Sequence, residues 1–230
     1  MDIETRKEQQ DQRENTAARR AGRDPSDIKL LAVRKPRAAS TIRSLASLGQ
    51  KAFGENYLQE AEEKIEQLAD LDLEWQFIGQ IQRNKTAAIA ANFDWVQSID
   101  RLFIAERLAA QRPTGKKPLK ACIQVRMSEE TGKGGVLPGD LFPQADAINS
   151  LPGIDLRGVM AIPENTTDTE RQKMAFREMH DLYTRLKSDY GSVDTLSMGM
   201  TGDFELAIAE GSTMIRVGTA LFGARQQIKK

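Results

Sequence analysis

Hydrophobic and polar positions along the chain group into short, β-rich apolar runs separated by longer stretches of helical periodicity. The runs are IKLLAV (28–33), KAFGENY (51–57), EWQFIG (74–79), WVQSID (95–100), LKACIQVRM (119–127), IDLRGVMAI (154–162), VDTLSMGM (193–200) and STMIRVGTALFG (212–223). Between them lie segments such as LQEAEEKIEQLADL from Leu58 and ERQKMAFREMHDLYTRLKSDYG, which closes on a glycine suited to a helix C-cap. Strict alternation of this kind predicts an α/β fold, a (β/α)8 TIM barrel. An open doubly wound sheet is the alternative, but no G-x-G-x-x-G follows the first run to support a dinucleotide crevice.

No linker, low-complexity tract or repeat interrupts the series, so the expected division is an N-terminal helix and lead-in over 1–27 and one barrel domain over 28–230. The run that supplies the eighth strand lacks a following helix, and another element has to cover it. Residues 3–22, polar and free of proline, predict an extra helix that caps or flanks the barrel. Apart from Ile3 its apolar positions are alanines, a weak packing stripe, and the helix is expected to be loosely held.

Charge changes the picture by exclusion. Lysine plus arginine and aspartate plus glutamate number 33 each, so no net field favours nucleic acid or an anionic membrane as partner. No run approaches the roughly 20 apolar residues of a membrane span, and the charged N-terminus has no signal-peptide core. Cys122 is the single cysteine, which excludes an internal disulfide and fits a reducing cytoplasm. A closed barrel buries its own sheet edges, so a monomer is expected.

In such a barrel the strand C-termini and the loops after them form the active face. The first run breaks off at Arg34, Lys35, Pro36 and Arg37, and strand alternation makes Arg34 and Lys35 face opposite ways, one of them inward. A solvated charge at a loop edge is the ordinary fate of such a lysine, so a chemical role needs partners. TLSMGMTGDFELAIAEG passes through Gly199, Thr201 and Gly202 into a short helix, and Gly218 and Thr219 end the eighth run; these are the two loops where barrels of this class often hold phosphate. Arg216, inside the apolar TMIRVG, must pair, bind a ligand or reach the rim. Asn56 at the end of the second run offers a neutral polar contact or a turn. His180 lies in a long polar helix and reads as a surface side chain, with no second histidine for a metal site. Cys122 reads as a small buried side chain with no group to activate it.

A lysine ending the first strand, an arginine in the eighth and phosphate-type loops after the seventh and eighth describe a pyridoxal-phosphate pocket. LLAVRK, FGENYLQEAEEKI, EWQFIGQIQRNK, SIDR, RGVMAIP, LSMGM and GSTMIRVGTALFGAR, in this order from Ile28 to Arg225, closely resemble the pyridoxal-phosphate homeostasis proteins, single-domain relatives of the alanine racemase barrel. The resemblance implies that pyridoxal 5'-phosphate is the cofactor and that Lys35 forms its internal aldimine. It further implies that Arg216 faces the pyridine nitrogen, that Ser197, Thr201, Gly218 and Thr219 surround the phosphate, and that Asn56 and Met160 line the ring. The implied role is a non-catalytic carrier in cofactor homeostasis, with pyridoxal-phosphate-requiring apo-enzymes as recipients. A guanidinium only donates, which leaves a pyridine nitrogen unprotonated and the ring a poor electron sink. Racemisation also needs a second acid or base, which alanine racemase takes from a separate β-domain for which this chain has no room. A racemase-like enzyme, or an aldolase or phosphosugar isomerase using Lys35 on a substrate carbonyl, are the competing functions.

Some positions depart from the family pattern. Arg34 and Pro36 stand where a serine and a threonine commonly flank the lysine, and Gly202 where an acidic residue is common. Gln80 and Arg83 alter the loop after the third run, and Lys7, Gln10 and Glu14 occupy usually apolar sites of the N-terminal helix, which puts its docking in question.

Overall fold

The computed structural model describes residues 1–33, 39–127, 134–164 and 166–223. Among them eight strands run in chain order: β1 (Lys29–Val33), β2 (Ala52–Glu55), β3 (Glu74–Phe77), β4 (Trp95–Ile99), β5 (Leu119–Val125), β6 (Ile154–Ala161), β7 (Thr195–Met200) and β8 (Met214–Val217). All neighbours pair in parallel and β8 closes on β1, giving the (β/α)8 barrel that the alternation predicts. Helix α1 (Ile3–Arg20) precedes the barrel; α2 (Ala39–Ser47), α3 (Leu58–Gln67), α4 (Thr86–Asn92), α5 (Leu102–Ala110), α6 (Leu141–Asn149), α7 (Thr169–Asp189), α8 (Phe204–Ala209) and α9 (Thr219–Phe222) follow successive strands.

A closed parallel sheet buries both faces, so each strand carries two apolar surfaces. One surface packs on the helices in a continuous outer core that includes Phe53, Phe77, Val96, Phe176 and Phe204. The other fills the barrel with Leu31, Ala52, Trp95, Cys122, Met160 and Met214, against which Val33 and Ile78 pack. Alternation alone does not place all of these. On β6, Ile154 and Leu156 belong to the outer core, and four residues beyond Leu156 strict alternation would send Met160 outward as well. Instead the β5–β6 register slips between Ala121 and Cys122, a bulge that reverses the parity and turns Met160 inward. Gly158 makes the slip possible: its φ is +150°, and a Cβ there would run into the Thr195 carbonyl of β7.

Three local expectations are corrected. The run from Ser212 to Gly223 is not one strand, because β8 ends at Val217 and TALF forms the single-turn α9 after Gly218. A short helix therefore does follow the eighth strand. Helix α7 does not finish on a glycine cap; it ends at Tyr190 in an extended conformation, and Gly191 is not among the positive-φ glycines.

Helix α1 lies against α2, α8 and α9, and so covers the flank where the last helices are short. Asp2 caps its start, Arg23 after its end donates to the carbonyls of Ile208 and Ser212, and Arg13 reaches both Glu205 and the Phe204 ring. Its buried face is Gln10, Glu14, Ala17 and Ala18. The helix is thus docked, but on a polar face: the Gln10 amide has no hydrogen-bond partner among the described residues, and burial, reinforced by Asp11 and opposed by Lys7, pushes the Glu14 carboxyl up to about 7.

A raised carboxyl pKa means that the folded protein holds this proton up to about pH 7, whereas the unfolded chain loses it near the ordinary glutamate value of 4.5. Stability is therefore undiminished below the lower value and falls by on the order of 3 kcal/mol as pH rises through the upper one. Glu14→Gln is expected to raise Tm by roughly 5–10 °C at pH 8 and to change it little at pH 5. Thermal unfolding followed by circular dichroism at the two pH values checks this.

Candidate functional site

Those predicted residues that the structure describes lie toward the C-terminal end of the barrel. Lys35 lies outside the described residues. Met160 and Ser197 are fully buried on β6 and β7, Arg216 is 5% exposed on β8, Asn56 directly follows β2, and Thr201, Gly218 and Thr219 follow β7 and β8. A Cβ at Gly218 would sit 2.9 Å from the carbonyl oxygen of Val33, so the turn after β8 is pressed against the end of β1. Asn56 is held from the next strand in the same way, because a Cβ at Gly79 would strike its backbone.

Arg216 is buried below the rim, and among the described residues it forms no ion pair. Its Nη1 donates to the Ser197 carbonyl at 2.9 Å and to Ser197 Oγ at 2.8 Å, and its Nη2 to the Ala161 carbonyl at 2.8 Å. The guanidinium thus crosses from β8 over β7 to the end of β6. Burial pushes its pKa down to about 10, with Asp203 opposing the shift, and it remains a cation at neutral pH. Its Nε–H and its second Nη2–H have no acceptor among the described residues.

The two loops are tied together by Gly218 N–H donating to Thr201 Oγ1 at 3.3 Å. In α9 the first hydrogen bonds start from Leu221 and Phe222, which leaves the Thr219 and Ala220 amides without acceptors among the described residues. The mouth is therefore rich in unused donors: two guanidinium N–H groups, two backbone amides and the Thr201 hydroxyl. Such a set fits an anion and an acceptor-only ring nitrogen, the two features that a phosphorylated pyridine presents.

Asp203, missed in the sequence, closes the β7 turn. Its Oδ1 accepts from Met200 N–H at 2.6 Å and its Oδ2 from Gln172 at 3.1 Å, while burial raises its pKa and the Arg216 charge opposes that rise. The signal was present, since an Asp beginning a helical run is a common start residue and stands one position after Gly202. Gln76 and Gln97, both fully buried inside the barrel, were also missed, and strand parity would have pointed them inward. The Cys122 thiol is pushed up to about 12 by burial and is inert, as its place in an apolar strand implies. His180 is half-buried rather than solvated, packed so closely on Gly211 that a Cβ there would strike its ring.

The model of the family "Alanine racemase, N-terminal domain" matches residues 12–226. A "Pyridoxal phosphate homeostasis protein" of Pseudomonas aeruginosa is 52% identical over 209 residues, covering 91% of this chain and 90% of that protein. One of the same name from Escherichia coli is 47% identical over 219 residues, with 94% of each covered. The chain belongs to the pyridoxal phosphate homeostasis protein family. Among solved structures, PipY of Synechococcus elongatus, solved with PLP bound, superposes with a TM-score of 0.82 at 34% identity, covering 96% of this chain and 100% of that one. Alanine racemase from Corynebacterium glutamicum, at 20% identity and a TM-score of 0.63, shares the fold; the match covers 96% of this chain and 62% of the racemase.

In this family member the seating of α8 beneath the β7 loop depends on Gly199. Its φ is +91°, and a Cβ there would lie 2.5 Å from Ala207 Cβ and 3.1 Å from Phe204 Cα. Gly199→Ala is expected to push α8 away and cost about 2–4 kcal/mol, from positive-φ strain together with overpacking. Urea unfolding should show this as a lower midpoint at unchanged slope.

Proposed function

We propose that this chain binds pyridoxal 5'-phosphate at the C-terminal mouth of the barrel and serves cofactor homeostasis as a carrier without obligatory turnover. The observation that carries the reading is Arg216: a buried cation that, among the described residues, is paired with neutral acceptors and holds spare donors at the mouth. Thr201, Gly218 and Thr219 would receive the phosphate, Ser197 would support Arg216, and Asn56 and Met160 would border the ring. When bound, the cofactor supplies an aldehyde able to condense with a primary amine.

Lys35 is the amine this proposal uses. Leu31 and Val33 pack into the barrel interior, and this odd-numbered parity of β1 supports the choice of Lys35 over Arg34 if the alternation continues past Val33. The approach of Gly218 to Val33 supports a phosphate cradle next to this strand end. Held near another cation and out of bulk water, the Lys35 amine would more readily shed its proton and become a nucleophile. A donor-only partner at the ring nitrogen argues for holding the cofactor over carbanion chemistry. The reading extends to a cytoplasmic monomer that passes the cofactor to apo-enzymes, supported by the closed sheet and the buried free thiol of Cys122.

Protein saturated with pyridoxal phosphate should show a visible absorption band that Lys35→Ala abolishes. Mass spectrometry after borohydride reduction should place one pyridoxyl group on the Lys35 peptide. A modified lysine elsewhere, or a colourless wild-type protein, would overturn the assignment.

A further inference from the structure

From Arg216 and Ser197 an unbroken line of polar side chains runs on through the barrel interior to residues that the binding reading does not use. Starting at the mouth, Arg216 Nη1 donates to Ser197 Oγ at 2.8 Å, and the Ser197 hydroxyl donates to Gln97 Oε1 at 2.6 Å. Gln97 Nε2 donates to Gln76 Oε1 at 2.5 Å and also touches Met214 Sδ at 3.1 Å. Gln76 Nε2 then donates to Glu74 Oε1 at 2.6 Å. Glu74 sits at the opposite, N-terminal end of the barrel, where Lys29 Nζ lies 2.5 Å from its Oε1 and Lys120 Nζ 3.8 Å from its Oε2. Gln76, Gln97 and Ser197 are all fully buried, so none can exchange these bonds for water.

The direction of the line is dictated by its ends. A guanidinium has no lone pair to accept with, and an ionised carboxylate has no proton to donate. Each neutral group between them must therefore accept on the Arg216 side and donate on the Glu74 side. Reversing either amide would bring two acceptors together in a place without water, which costs the full desolvation of an unpaired polar group. Burial raises the Glu74 carboxyl, but Lys29 and the Gln76 amide outweigh it and hold the group below its ordinary range, so the acceptor-only end persists at neutral pH.

We propose that Glu74, Gln76 and Gln97 are positioning residues that act through Ser197 to fix the plane of the Arg216 guanidinium, and so to hold its unused donors in place at the mouth. With the Ser197 proton committed to Gln97, the lone pair of Ser197 Oγ faces Nη1 permanently; the Ser197 and Ala161 carbonyls complete the clamp. Chains of aligned hydrogen bonds strengthen one another, and this one ends on an anion. The functional consequence rests on the reading of the mouth as a pyridoxal-phosphate pocket, whereas the clamp itself is a property of the unliganded chain and is tested there.

The test uses ¹⁵N-labelled cofactor-free protein and reads rotation of the Arg216 Cζ–Nη bonds by NMR. The wild type is expected to give separate, slowly exchanging Hη signals. Gln76→Met, which alters no group bonded to Arg216, is expected to speed that rotation by roughly tenfold or more, as Ser197→Ala does directly. Glu74→Gln, milder and at the floor of the barrel, should move it the same way and serves if the methionine variant fails to fold. In protein loaded with pyridoxal phosphate, both distant variants should also shift the pH midpoint of the visible band while borohydride still labels Lys35. Rotation that responds to Ser197→Ala alone would reduce the line to a local contact and overturn the relay. A colourless wild type would instead sink the cofactor reading and leave the NMR result standing.

Discussion

A guanidinium cannot be taken out of water without partners, and Arg216 is almost wholly out of water. Its solution is to bridge three strands: it springs from β8, takes both the carbonyl and the hydroxyl of Ser197 on β7, and reaches the carbonyl ending β6. The C-terminal ends of these strands are thereby locked at one spacing by the same group that faces the ligand mouth. Replacing it by an apolar residue would take the guanidinium donor from the Ser197 and Ala161 carbonyls and relax the strand ends together, so barrel closure and site geometry are not separable here.

Around that clamp the backbone is shaped by close approaches that only glycine allows. Gly158 sets the slip that turns Met160 into the barrel, Gly199 seats α8 under the β7 loop, and Gly218 brings the β8 turn against Val33. Gly199 and Gly218 are local departures from strand regularity beside the mouth, where strained backbone is commonly spent on aiming side chains, while Gly158 lies lower, opposite the start of β7. The opposite end is closed by charge: Trp95 lies beneath Lys29, Lys120 and Arg157, with Glu74, Asp155 and Asp194 compensating their charge.

The added helix α1 follows a different logic. With alanines as its apolar contacts, its attachment comes from Arg13, Arg23 and the cap at Asp2, while Gln10 and Glu14 are carried into the interface at a cost. Departures from an apolar pattern at Lys7, Gln10 and Glu14 were legible in the sequence. That the helix docks in spite of them was not, because docking depends on the Phe204 and Glu205 side chains of an element almost two hundred residues away.

The fold class and the order of all eight strands were legible in the chain alone, since hydrophobic periodicity and strand-to-helix alternation are local properties of the chain. The sequence also singled out Arg216, because a charge within an apolar run is conspicuous without coordinates. Only the tertiary structure decided what Arg216 pairs with, that Met160 turns inward, that TALF is helical, and that Gln76, Gln97 and Ser197 form one line. Those facts depend on register between strands and on closure of β8 onto β1, and a one-residue slip in either exchanges the inner and outer faces. Such slips leave almost no trace in composition: a glycine marks where one is permitted, and the neighbouring strand determines whether it occurs.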